Sequence, residues 1–154
     1  MKIAVGCDNI AIALKEDINK YIESLGHSIV DCGCYTADPI DYPDVATVVT
    51  DAILKGEVER GILLCGTGIG MAMAANKVKG IRAAQCYDEY SAERAALSND
   101  SHIITIGAKT VGPETAKRIV KTWLENSFSG GPSAKKIAKI MEIEKHTNDG
   151  AGVV

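Results

Sequence analysis

The sequence has no apolar run long enough to cross a membrane, no block of basic residues and no paired Cys-x-x-Cys spacing. The first absence excludes a helical membrane span, which needs about 20 apolar residues in succession. The second, with a formal net charge of -3, argues against nucleic acid as a partner. The third leaves neither a disulfide framework nor a zinc site, because the five cysteines (Cys7, Cys32, Cys34, Cys65 and Cys86) are odd in number and scattered. Cys32-Gly33-Cys34 is the one close pair, and it reads as two thiols at a strand end. Aromatic residues are scarce, with one Trp and one Phe, while Ala and Gly abound, which suits a tightly packed α/β protein. Met1-Lys2 leads straight into strand-like Ile3-Ala4-Val5, so a cytoplasmic location is expected.

What is present is an alternation of short apolar runs and helical patterns. Strands are expected at residues 3–7, 28–30, 61–65, 81–85 and 102–106. Between them Ile10, Leu14, Ile18, Ile22 and Leu25 recur at helical spacing, and Gly26 ends that helix. Pro43 and Pro113 open further helices, to Leu54 and Leu124. Helices are also expected over residues 70–77, 88–97 and 133–146. One domain over residues 1–146 is expected, with a loose tail over 147–154. Five strands alternating with helices imply a Rossmann-like three-layer sandwich, a five-stranded parallel sheet covered on both faces. The last helix, beyond a Gly-rich hinge at residues 126–132, is free to extend toward a partner subunit.

The stretch Leu63-Leu64-Cys65-Gly66-Thr67-Gly68-Ile69-Gly70-Met71 carries the chemistry. An apolar strand delivers a thiol into a glycine-rich loop, and a helix follows. Unpaired N–H groups at a helix start suit an oxyanion or a phosphate. The same field favours a thiolate, so Cys65 reads as a base or a nucleophile. Cysteine is also among the residues most often buried as a small hydrophobe, and that alternative stands beside the first. The loop is not a Walker motif, since no Gly-Lys-Ser/Thr follows, and its Gly66-x-Gly68-x-Gly70 spacing is not the dinucleotide fingerprint. Asp8, just before a helical pattern, also reads as a helix cap.

Several segments together resemble the ribose-5-phosphate isomerase B / galactose-6-phosphate isomerase family. They are residues 1–8 (Met-Lys-Ile-Ala-Val-Gly-Cys-Asp), Asp41-Tyr42-Pro43, Cys65-Gly-Thr-Gly-Ile-Gly-Met71, Ala74-Ala-Asn-Lys-Val-Lys-Gly-Ile-Arg-Ala83, Asn99-Asp100 and Gly130-Gly131. The resemblance covers nearly the whole chain. It implies an aldose–ketose isomerase that moves a proton between C1 and C2 through a cis-enediol, with a small-molecule sugar phosphate as substrate and no cofactor or metal. It also implies a homodimer or homotetramer with the active site at the subunit interface. By position, Cys65 matches the base, and Thr67 with the amides of Gly66, Gly68 and Gly70 the anion-stabilising loop. Asp8, Tyr42 and Asn99 match contacts to substrate hydroxyls.

The departures from that pattern fall on the helpers of the base. Asn9 stands where most phosphopentose members have His. Ser98 replaces the ring-opening His. Lys109, Pro132 and Lys136 occupy places of phosphate-binding Arg. Serine cannot act as an imidazole acid or base, and lysine attracts phosphate without the bidentate fork. His102, four residues after Ser98, is weighed as a substitute and read rather as an ordinary strand residue. Two alternatives to a self-sufficient isomerase remain at this point. One is a subunit of a hetero-oligomeric galactose-6-phosphate-type isomerase, and the other is a non-catalytic sugar-phosphate-binding protein.

Overall fold

Strict two-residue alternation decides how the sheet is clothed. The computed structural model describes residues 1–148. Its strands are β1 (Lys2–Cys7), β2 (Ser28–Asp31), β3 (Arg60–Cys65), β4 (Ala83–Gln85) and β5 (Ile103–Gly107). All pair in parallel in the order β2-β1-β3-β5-β4. In β1, β3 and β5 the residues Ile3, Val5, Cys7, Ile62, Leu64, Ile104 and Ile106 enter one core, and Ala4, Leu63, Cys65 and Ile103 the other. Successive side chains of a strand point to opposite faces, so one sequence supplies both layers.

The helices follow the same division. α1 (Ile12–Ser24), α4 (Glu89–Leu97) and α5 (Pro113–Glu125) cover the first core with Leu14, Ile18, Ile22, Ala92, Ala96, Ile119 and Trp123. α2 (Tyr42–Leu54) and α3 (Ile69–Ala75) cover the second with Val45, Val49, Met71 and Ala75. A short 3₁₀ turn, Gly131–Ser133, then leads into α6 (Ala134–Asn148). α6 buries Ile137 and leaves Ile140 and Ile143 exposed. It is tied to the body near the start of β4: Gly80 N–H donates to Glu144 Oε1 at 2.8 Å, and Arg82 Nη1 donates to Met141 Sδ at 3.5 Å. Thr147 and Asn148, expected in a loose tail, belong to α6, and residues 149–154 lie outside the described residues.

The expected architecture and element order hold, and the boundaries shift where side chains intervene. α1 begins at Ile12 rather than Ile10, because the Ile10 N–H is taken by Asp8 Oδ1 at 3.0 Å. α3 stops at Ala75 because Asn76 turns to the sheet: its side chain both donates to and accepts from the backbone of Ala83, each at 2.8 Å. β4 starts at Ala83 rather than Ile81, since the Arg82 N–H goes to the His102 ring at 3.1 Å instead of a ladder partner.

Candidate active site

The crevice between β1 and β3 is where the sheet's connections part. The chain leaving β1 goes to α1 on one face, and the chain leaving β3 goes to α3 on the other. Ligands of parallel α/β sheets sit in such a crevice, beyond the carboxyl ends of the strands. Asp8 and Asn9 leave β1 there, and Cys65 to Gly70 leave β3. The two loops are joined by Asp8 N–H donating to Leu64 O at 3.1 Å.

Cys65 ends β3 with its side chain toward α2 and α3 and is 5% exposed. The Gly68 N–H donates to its Sγ at 3.0 Å. The sulfur is thus the acceptor of a backbone amide at the start of the loop. Burial pushes Cys7 and Cys86 up to about 11, so both stay protonated at neutral pH. Burial, and then the neighbouring Asp31 carboxylate, raises Cys32 as well.

The loop's shape depends on two glycines. Gly68 has φ +81°, and a Cβ there would lie 3.1–3.3 Å from the backbone of Ile106 and Gly107. At Gly70 a Cβ would fall 2.6 Å from Cζ of Tyr42, so the absent side chain lets the Tyr42 ring lie against the start of α3. Thr67 is exposed, and its Oγ1 accepts from Ile69 N–H at 3.2 Å. Lys109, exposed after β5, donates its backbone N–H to Gly66 O at 3.0 Å, and its stem passes 3.9 Å from the position a Gly66 Cβ would take. Asp8 is 7% exposed and forms a turn onto Ile10 rather than capping α1, whose N-cap residue is Ala11. Asn9 is half-buried beside it.

The sequence-expected site residues therefore fall into two groups. Asp8, Asn9, Tyr42, Cys65, Gly66, Thr67, Gly68, Gly70 and Lys109 gather at the carboxyl edge. Ser98, Asn99 and Lys136 do not join them. Ser98 and Asn99 lie between α4 and β5, at the amino edge, where Asn99 O accepts from Arg82 Nε at 3.3 Å and Ser98 Oγ from Arg94 Nη1 at 3.4 Å. β5 separates them from the thiol loop. The register pairs Gly61 with Ile103 and Cys65 with Gly107, four steps or about 13 Å apart. Lys136 is exposed on α6, the helix tied to that same amino edge.

His102 belongs to the far edge too. Its Nδ1 accepts from Arg82 N–H, and Arg82 Nη2 lies 3.4 Å from its Nε2. Burial, reinforced by the Arg82 guanidinium, lowers its pKa below the usual imidazole value of 6.5. Above that value both folded and unfolded chains carry a neutral ring, and below it the unfolded chain takes a proton that the folded one resists. The unmodified chain is expected to lose stability as pH falls below 6.5, and His102→Gln to flatten that part of a urea-midpoint profile. An unchanged profile would show that His102 is not the group responsible.

Two residues that pattern reading passes over hold the loop. Gln85 Nε2 donates to Thr67 O at 2.6 Å, and the fully buried Thr105 donates Oγ1 to Gly68 O at 2.8 Å. In the sequence both look like plain strand residues, and no local signal marks them. Among the described residues no group of three or more His, Cys, Asp or Glu side chains is placed to hold a metal ion, and no helix is long and apolar enough to cross a membrane.

A thiol, a hydroxyl and a row of backbone amides thus lie beside a buried carboxylate at the carboxyl edge of the sheet. The comparisons with known proteins agree on a class of enzyme. Residues 3–140 match the family model described as Ribose/Galactose Isomerase. The chain is 51% identical to the D-erythrulose-4-phosphate isomerase of Pectobacterium atrosepticum, over 91% of this chain and 93% of the relative. It is 45% identical to the Ribose-5-P isomerase B of Listeria innocua, over 94% and 98% of the two chains. The ribose-5-phosphate isomerase B structure from Clostridium thermocellum superposes with a TM-score of 0.93 at 42% identity, covering 96% of this chain and 99% of that one. The fold and these likenesses define a sugar-phosphate aldose–ketose isomerase, an intramolecular oxidoreductase. The chain belongs to the ribose/galactose isomerase family.

Proposed function

We propose that this chain interconverts a four-carbon aldose and ketose 4-phosphate, with Cys65 as the base. The Cys65 thiolate takes the proton from C2 of the aldose. The electrons of the broken C–H bond form the enediolate, whose developing charge is met by Thr67 and the loop amides. The proton returns to C1, and the hydroxyl proton moves from O2 to O1, so the ketose leaves with no net gain or loss. Asp8 and Tyr42 orient the hydroxyls, and Lys109 lies close enough to Gly66 to bring a cation to the phosphate.

The single observation that carries the tetrose reading is that Ser98 stands at the position of the ring-opening imidazole, with no histidine at the carboxyl edge of the chain itself. All three histidines, His27, His102 and His146, lie elsewhere among the described residues. Ring opening of a furanose or pyranose calls for an acid and a base near the ring oxygen. A tetrose 4-phosphate has no free C4 hydroxyl and cannot close a furanose, so its enzyme can dispense with that step. The relative at 51% identity is named for such a substrate, and the one at 45% for a pentose phosphate.

Ser98, Asn99 and Lys136 are too far from Cys65 to serve it within one chain. In this reading a second copy presents them across an interface formed in part by α6, whose Ile140 and Ile143 are exposed. The purified chain should sediment as a dimer or larger, and a fully active monomer would overturn the shared site. The substrate assignment is tested with the purified chain on a panel of aldose and ketose phosphates. D-Erythrose 4-phosphate should be turned over faster than ribose 5-phosphate. Ser98→His should leave the tetrose rate nearly unchanged and raise any weak pentose activity. Efficient pentose or hexose turnover with poor use of tetroses would refute the assignment.

A further inference from the structure

The peptide between Thr67 and Gly68 presents its two polar ends to two different side chains. Its N–H donates to Cys65 Sγ at 3.0 Å, and its carbonyl accepts from Gln85 Nε2 at 2.6 Å. In a trans peptide these ends point in opposite directions, so whatever holds the oxygen also aims the N–H. We infer that Gln85 is a positioning residue for the isomerase reaction, one that locks this peptide so that the Gly68 amide faces the Cys65 sulfur. The inference rests on the reading of Cys65 as the base.

A lock is needed because the loop is free to turn just here. Gly68 sits at φ +81°, and glycine crosses between positive and negative φ at little cost. A side chain cannot be used to remove that freedom, since a Cβ would meet the backbone of Ile106 and Gly107 at 3.1–3.3 Å. On the far side of Gly68 the next carbonyl is already anchored, by the buried Thr105 hydroxyl at 2.8 Å. On the near side Cys65 O accepts from Ala108 N–H at 2.8 Å and Gly66 O from Lys109 N–H at 3.0 Å. What remains is a crankshaft rotation of the 67–68 peptide alone, which would turn its carbonyl oxygen toward the sulfur in place of the N–H. An oxygen facing a thiolate repels it, whereas an N–H stabilises it. Gln85 opposes that rotation directly. A donor on the carbonyl also polarises the amide and strengthens its N–H toward the sulfur. Gln85 reaches the peptide from the carboxyl end of β4, level with Thr105 in the sheet register. It acts through the backbone, by its hydrogen bond to Thr67 O.

The test uses the full chain with Gln85→Met, of similar length without a donor, and Gln85→Glu, whose ionised carboxylate cannot donate to Thr67 O. Turnover is measured on whichever of D-erythrose 4-phosphate and D-ribose 5-phosphate the unmodified chain uses better. Amide exchange with solvent is followed residue by residue by NMR. In both variants kcat should fall roughly tenfold, the worth of one hydrogen bond, with KM changed less than about twofold. The Gly68 amide should lose protection while the amides of β1, β3 and β5 keep theirs. Unchanged Gly68 protection, or an unchanged kcat despite its loss, would overturn the inference. So would a general loss of strand protection, which would make Gln85 a stability residue. Cys65→Ser, assayed beside them, separates the two ideas. If it retains turnover, the base is elsewhere and the inference falls with that reading, even where Gln85→Met still exposes the Gly68 amide. If it is inactive and both Gln85 variants behave normally, the base stands and the lock fails.

Discussion

Replacement of Cys65 by Ser is expected to lower turnover by more than about 10²-fold, the usual contribution of a positioned general base. The hydroxyl is close in size, can still accept the Gly68 N–H, and sits in the same pocket formed with Met71, Ala75 and Val45. The fold and the binding of substrate should therefore survive. What the proposed mechanism would lose is the thiolate, since a serine hydroxyl does not become an anion near neutral pH without a strong base beside it. Exchange of the substrate C2 proton in deuterated water is the direct measurement. It should fall in parallel with net isomerisation, because both need the same abstraction. A variant that exchanged and isomerised at near the original rate would place the base on another residue. Asp8 would then be the first to examine, as the buried carboxylate at the same edge.

The largest effect on stability is expected at Trp123. Trp123→Ala should cost about 3–5 kcal/mol, the range for deleting a buried aromatic side chain. That is a large part of the roughly 5–15 kcal/mol that holds a domain together. Trp123 is fully buried among α1, α4 and α5, and its Nε1–H donates to Ser101 Oγ at 3.0 Å. The Arg60 guanidinium lies 4.8 Å from its ring centroid and donates to Trp123 O at 2.7 Å and Asn126 O at 2.8 Å. Truncation opens a cavity, strands the Ser101 hydroxyl and removes the π face over which a partly buried cation rests. Trp123→Phe keeps most of the volume and should lose much less. Urea midpoints of the two variants against the parent decide it, and equal midpoints for Ala and Phe would mean that the cavity collapses without cost. Ser101 lies within the segment that leads from Asn99 into β5. Loosening at Trp123 should therefore disturb the amino-edge group before it reaches the thiol loop.

Much of the fold was legible because its signals are local. Alternation in β1, β3 and β5, helical spacing in α1, and Pro43 and Pro113 in first turns each act over a few residues. The thiol loop was legible for the same reason: strand, Cys65, three glycines and helix are contiguous. Two boundaries moved because distant side chains claimed backbone groups, as Asn76 did at Ala83 and His102 at Arg82. The family pattern put Ser98, Asn99 and Lys136 in one list with Cys65. The sheet puts them at its other edge, because in parallel β–α units a residue that follows a helix always returns to the amino end.

The order of the elements, the parallel sheet and the identity of the thiol loop were thus determined by the sequence alone, through steric preference and hydrophobic periodicity. The tertiary structure alone decided which side chains brace that loop and which candidates share its edge. Gln85 and Thr105 reach Thr67 and Gly68 only because β4, β5 and β3 align in one particular register. Register is a property of strands brought together from distant parts of the chain, and no short stretch of sequence encodes it.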